Sequence, residues 1–187
     1  MKAQVRIIGG KWRGRKLPVA DAAGLRPTPD RIRETLFNWL GSDCPGALVL
    51  DCFCGSGALG FEALSRGASG LVAMEQDSRA IAGLKLQLER LGGGNVEILK
   101  GDARKLISGL RQQFSLVFID PPYAETHLRS QVFEQLEKQD CLLPGARIYF
   151  EWPKSESFEL PSDSLQWLRH KCAGQVNYGI AEWQRNR

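Results

Sequence analysis

The chain holds 187 residues, 43% of them hydrophobic and 25% charged, with a net charge of +4. That length suits one domain with a short appendage, and the composition excludes a disordered chain, a collagen and a disulfide-stapled scaffold. No apolar run approaches the ~20 residues of a membrane span, and the basic start MKAQVRIIGGKWRGRK lacks the apolar stretch of a secretory signal.

The charge is uneven. Residues 1–33 carry nine basic and two acidic side chains, and the rest of the chain carries sixteen and nineteen. A basic arm on a mildly acidic body reads as an electrostatic handle for a polyanion. Within the arm, residues 5–8 and 15–19 predict two short strands, and the glycine-rich GGKWRG between them predicts a hairpin turn. Trp12 lies among Lys11, Arg13, Arg15 and Lys16, an aromatic interleaved with cations. Pro27 and Pro29 bracket Thr28 and place a helix start near Pro29 or Asp30. Ile32, Leu36, Phe37 and Leu40 continue at helical spacing until Gly41. We therefore divide the chain into a basic arm, residues 1–40, and a body, residues 41–187.

From residue 47 the pattern is strand, turn, helix, repeated. Strands are predicted over 47–51, 70–75, 96–100, 114–120 and 147–151. Helices are predicted within 55–67, over 78–91, from the GDA at 101 to Leu110, and around 125–137. The tail offers two more strands, near 165–171 and 175–184, joined too tightly for a crossover and so antiparallel. Alternating strands and helices imply parallel pairing with right-handed crossovers. The expected fold is a doubly wound, mostly parallel seven-stranded Rossmann-like α/β sheet with an antiparallel C-terminal strand, preceded by the arm.

Ligands of such sheets bind outside the carboxyl ends of the strands. Asp51, Glu75, Asp102 and Asp120 all fall at such ends. Gly55, Gly57 and Gly60 form G-x-G-x-x-G between a strand and a helix, which permits a tight turn and close approach to a ligand. Glu75, 20 residues after Gly55, is placed to accept from both hydroxyls of a ribose. To this point a dinucleotide dehydrogenase fits equally well. Asp51, just before the turn, would repel a pyrophosphate but suits a ligand bearing an ammonium and a sulfonium. Asp102, ahead of Ala103, is placed for an adenine amino group; both acids are also plausible turn or helix caps. S-adenosylmethionine has the matching groups and no phosphate. Cys52 lies in the same turn.

After the fourth strand comes Asp120-Pro121-Pro122-Tyr123. Two prolines fix the backbone and remove two N–H donors, leaving carbonyls exposed. The Asp120 carboxylate and Pro121 carbonyl can each accept one hydrogen of an –NH2 group and so aim the nitrogen at a methyl donor. Tyr123 offers a face on which a flipped base can stack. This tetrapeptide resembles the [N/D]-P-P-[Y/F/W] signature of class I S-adenosylmethionine-dependent methyltransferases acting on exocyclic amines.

RIIGGKWRGRKL (6–17), RPTPDRIRETLFNWL (26–40), LDCFCGSGALGFEALSRGA (50–68) and FIDPPY (118–123) together resemble the bacterial 16S rRNA (guanine-N2) methyltransferases, the RsmD-like family. Cys52 stands where that family usually has Leu. The resemblance implies S-adenosylmethionine as cofactor and methylation of a guanine 2-amino group in 16S rRNA, within the 30S subunit or its assembly intermediate. It implies phosphate contacts from Lys11, Arg13, Arg15, Lys16, Arg26, Arg31 and Arg33, and a cytoplasmic, monomeric enzyme. The alternatives are a DNA adenine-N6 or protein glutamine methyltransferase, or a non-catalytic RNA-binding protein on the same fold.

The five cysteines, Cys44, Cys52, Cys54, Cys141 and Cys172, read as reduced thiols. Cys52 and Cys54 are one residue apart and only His127 and His170 accompany them, so no metal site is expected. No Pro-Cys dipeptide occurs, which disfavours a cysteine nucleophile.

Overall fold

The structure is a computed structural model and describes residues 4–19, 28–122, 125 and 127–184. Arg26 and Tyr123 lie outside the described residues. The body is a seven-stranded sheet in the order β5-β4-β3-β6-β7-β9-β8. These strands are β3 (Leu48–Asp51), β4 (Gly70–Glu75), β5 (Val96–Lys100), β6 (Phe114–Ile119), β7 (Leu142–Pro153), β8 (Leu165–Ala173) and β9 (Val176–Trp183). The first five pair in parallel, and β9 runs antiparallel between β7 and β8. The expected doubly wound fold is the one observed.

The helices are α1 (Asp30–Leu40), α2 (Ala58–Ser65), α3 (Ser78–Arg90), α4 (Ala103–Leu106) and α5 (Leu128–Lys138). Strand β7 begins five residues before the sequence pattern suggests. A register irregularity between Phe114 and Leu116 lets Leu142 pair before the regular ladder starts at Arg147. Helix α5 starts three residues late, because Glu125 and Leu128 first close two turns on Pro122 and Glu125. No helix among the described residues is long and apolar enough to cross a membrane.

Side-chain alternation splits the core into two layers. One holds Val49, Leu116, Phe118 and Tyr149 with α1 and α2; the other holds Leu50, Val117, Ile119 and Phe150 with α5. The arm joins the first layer. Strands β1 (Gln4–Arg6) and β2 (Lys16–Pro18) form an antiparallel pair whose Val5, Ile7 and Leu17 are buried. The GGKWRG turn is a 3₁₀ turn over Gly10–Trp12, and it puts Trp12 in the core at 5% exposure rather than out among the cations. Gly10 (φ +74°) is required here, since a Cβ would lie 1.8 Å from the Ser65 carbonyl oxygen.

A buried ionic knot holds the arm down. Glu62 on α2 accepts from the backbone N–H groups of Ile8 (2.7 Å) and Gly9 (2.8 Å), and from Arg66 (2.7 Å). Arg33 on α1 donates to Glu62 (3.4 Å), Asp30 (2.6 Å) and the carbonyls of Arg6 and Thr28. Its side chain is fully buried. The expectation that Arg33 contacts RNA is therefore corrected: its guanidinium is consumed inside the fold. Removing one partner of such a pair leaves an uncompensated buried charge.

Candidate active site

The carboxyl ends of β3, β4, β5, β6 and β7 open into one cavity of about 580 Å³. Asp51, Cys52, Gly55, Glu75, Ala103, Asp120 and Pro121 line it, so the sequence-predicted residues from four separate turns converge. Thr28, Leu128, Glu151 and Val176 also line it, and sequence reasoning assigned none of them a role. Thr28 sits between two prolines, a pattern that marked a helix start and no chemistry.

Strand β3 is paired on both sides, with β4 and β6, and Asp51 at its end is almost wholly buried, at 2% exposure. Backbone N–H groups of Phe53 and Gly60 and the Cys54 thiol donate to it. Burial outweighs those donors and pushes its carboxyl up to about 7. Gly60 allows this approach: a Cβ there would lie 2.7 Å from Leu71 and 3.4 Å from Asp51. Gly57 does not line the cavity as a ligand contact. It starts α2 at φ +78°, and a Cβ would meet Phe61 at 2.5 Å, so its part is shaping the turn. Cys52 backs the wall with its side chain in the core, and burial holds the Cys52 and Cys54 thiols protonated.

Glu75 is held by the backbone. Its Oε2 accepts from Gly55 N–H (2.8 Å), and its Oε1 from Gln76 N–H (2.7 Å) and Asp77 N–H (2.8 Å). The glycine turn and the end of β4 are thereby locked to each other. Asp102 caps α4, accepting from Arg104 N–H (3.0 Å) and from the Arg104 guanidinium, whose hydrogen bonds and charge pull its carboxyl below the usual range. Gly101 and Ala103 form the wall beside it. An adenine amino group would have to share Asp102 with Arg104.

Asp120 follows β6 and is partly open to the cavity. Its Oδ2 accepts from the Thr28 hydroxyl at 3.3 Å. Desolvation, then the neighbouring Glu151 and Asp51, push its carboxyl well above the ordinary range; Thr28 and Arg129 oppose this. Glu151, 3% exposed on β7, accepts from the Tyr149 hydroxyl at 2.8 Å.

The cations of the arm divide. Arg13, Lys16 and Arg31 are exposed. Lys11 lies over the Trp12 ring at 4.3 Å, and Arg15 donates to the Arg90 carbonyl at 2.9 Å.

The donor set fits S-adenosylmethionine. A buried carboxylate stands where a pyrophosphate would have to lie, so a cation suits Asp51 better than an anion does. A carboxylate pinned by three N–H groups presents a fixed acceptor for a diol.

Residues 5–182 match the family described as Conserved hypothetical protein 95. The chain is 45% identical over 179 residues to the ribosomal RNA small subunit methyltransferase D of Escherichia coli, covering 95% of this chain and 89% of that one. Identity to the Haemophilus influenzae protein of the same name is 40% over 183 residues, covering 96% and 94%. The solved structure of the Escherichia coli protein yhhF superposes with a TM-score of 0.89 at 42% identity, over 97% of this chain and 99% of that one. With such likeness along nearly its whole length, the chain belongs to the ribosomal RNA small subunit methyltransferase D family.

Proposed function

We propose that this enzyme transfers a methyl group from S-adenosylmethionine to the exocyclic 2-amino group of a guanine in 16S rRNA, in the 30S subunit or its assembly intermediate. The observation that carries this reading is the convergence of Asp120 and Pro121 with Asp51 and Glu75 on one cavity. An amine acceptor pair and a cofactor acceptor pair then share one space of small-molecule size.

S-adenosylmethionine, when bound, supplies an electrophilic methyl carbon. Asp51 offers its carboxylate to the cationic end, Glu75 accepts from the ribose hydroxyls, and Gly101 and Ala103 flank the adenine. The target guanine flips out and stacks on Tyr123. Asp120 and the Pro121 carbonyl accept the two amino hydrogens and turn the nitrogen lone pair toward the methyl group. That lone pair is delocalised into the ring, so the site must favour a pyramidal nitrogen. Positive charge grows on it as the N–C bond forms and the methyl–sulfur bond breaks, with neutral S-adenosylhomocysteine as the leaving group. A carboxylate offsets that charge better than an amide, and the alkylated nitrogen then gives up one hydrogen as a proton, to Asp120 or through it to water. Lys11, Arg13, Arg15, Lys16, Arg26 and Arg31 hold RNA phosphates.

The test uses 30S particles from a strain lacking the endogenous enzyme, incubated with labelled S-adenosylmethionine. Mass spectrometry of the digested rRNA should find one N2-methylguanine. Label on adenine, on a ring carbon or on ribose would overturn the reading.

A further inference from the structure

Glu151 belongs to no motif read from the sequence, yet it is one of the most buried acids in the fold and lines the cavity. Its placement follows from sheet register. Phe118 pairs with Tyr149, and Ile119 pairs with Phe150, in parallel. Continued one step past the last pair, that register sets Asp120 beside Glu151, at about the 4.8 Å spacing of neighbouring strands, and the two acids do act on each other electrostatically. Alternation sends both to the face of Phe118 and Tyr149. Each is braced by a neutral hydroxyl from that face, Thr28 for Asp120 and Tyr149 for Glu151.

Two carboxylates abreast repel each other, and a ligand that brings two adjacent N–H donors relieves that repulsion. The Watson–Crick edge of guanine is such a ligand: N1–H and the 2-amino group lie side by side on one amidine-like edge. Adenine offers a bare N1 acceptor at the corresponding place, which a carboxylate rejects.

We propose that Glu151 is a specificity-determining residue that accepts guanine N1–H while Asp120 accepts a hydrogen of the 2-amino group. This rests on the guanine-N2 reading above and assigns the base selectivity of that site. Tyr149 fixes the rotamer of Glu151, and the buried Arg129, which donates to the Glu151 carbonyl at 3.4 Å, anchors the strand end.

The test compares small-subunit rRNA carrying guanine at the methylated position with rRNA carrying 2-aminopurine there. The analogue keeps the 2-amino group and lacks N1–H. The wild type should prefer guanine by about 10–100-fold in kcat/KM, the range for losing a hydrogen bond to a charged group. Glu151→Gln can turn an amide N–H toward the bare N1 of the analogue, so the preference should shrink or invert while cofactor binding by calorimetry stays unchanged. An unchanged preference in Glu151→Gln would overturn the proposal. So would a wild type that uses both bases equally, which needs no variant to fold. A wild type that labels no guanine at all would instead defeat the function assigned above.

Discussion

Glu75 and Asp120 stand at strand ends in the same cavity, and the two halves of the site hold them in opposite ways. Glu75 accepts three backbone N–H groups from its own loop and from the glycine turn. Asp120 accepts one hydroxyl at 3.3 Å and has Glu151 as its neighbour, which helps push its carboxyl upward. The β3–β4 half is therefore organised before any ligand arrives, while the β6–β7 half carries charge repulsion that a donor-bearing base relieves. Binding and chemistry should separate along that line.

The sharpest test is Asp120→Ala. Turnover should fall about 10²–10³-fold, the cost of deleting one charge-stabilising group in an active site. Affinity for S-adenosylmethionine should hold within about threefold. Single-turnover methyl transfer and calorimetry on the same preparation check this, and equal losses in both would merge the two halves. Glu75→Ala is the converse. It should weaken cofactor binding by about 1.5–3 kcal/mol and leave the rate at saturating cofactor nearly intact.

These halves differed in legibility for the same physical reason. Asp51, Glu75 and Asp120 are announced by local signals: a glycine turn, a strand end, a pair of prolines. Glu151 also ends a predicted strand, 147–151, but no glycine turn or proline pair accompanies it, and its role arises only when β7 is laid against β6. Parallel pairing of the first five strands followed from the alternation of strands and helices, whereas the strand order did not, including the insertion of β9 between β7 and β8, since a hairpin can attach by either strand. Arg33 misled because helical spacing does not show a hairpin arriving from residues 4–18 or Glu62 arriving from α2. Asp102 reads from the sequence as a cofactor contact with a cap as the alternative, and the cap is the geometry present, while Gly101 and Ala103 on either side line the cavity.

Asp51 gives a pH test of the organised half. Its carboxyl is raised from 3.8 to about 7 by burial. The native protein thus binds the extra proton between those values and the unfolded chain does not. This contribution to the stability of the cofactor-free protein is fully present below about pH 4 and is lost as pH rises through about 7. A cationic ligand favours the ionised form, so its binding should release a proton near pH 6 and tighten by at most about tenfold per pH unit up to 7. Calorimetry in buffers of different ionisation enthalpy measures that proton. Its persistence in Asp51→Asn would place the titration elsewhere.

The smallest expected effect extends the comparison to the cations. Arg33 is saturated by partners inside the fold, whereas Arg13 and Lys16 are exposed on the hairpin. A saturated cation stabilises the fold, and an exposed one remains available to a phosphate. Arg13→Ala and Lys16→Ala should each lower the salt dependence of RNA binding by ~0.7–0.9 in the log–log slope, the counterion share of one contact. Melting temperature and cofactor affinity should not move. Arg33→Met should do the reverse, lowering the melting temperature because Glu62 keeps a buried charge with fewer donors, and leaving the slope alone in whatever fraction stays folded. Filter binding across a salt series, run beside thermal unfolding, separates the two behaviours. A slope that falls with Arg33→Met and not with Arg13→Ala would mean that the RNA path runs along α1 instead of the hairpin.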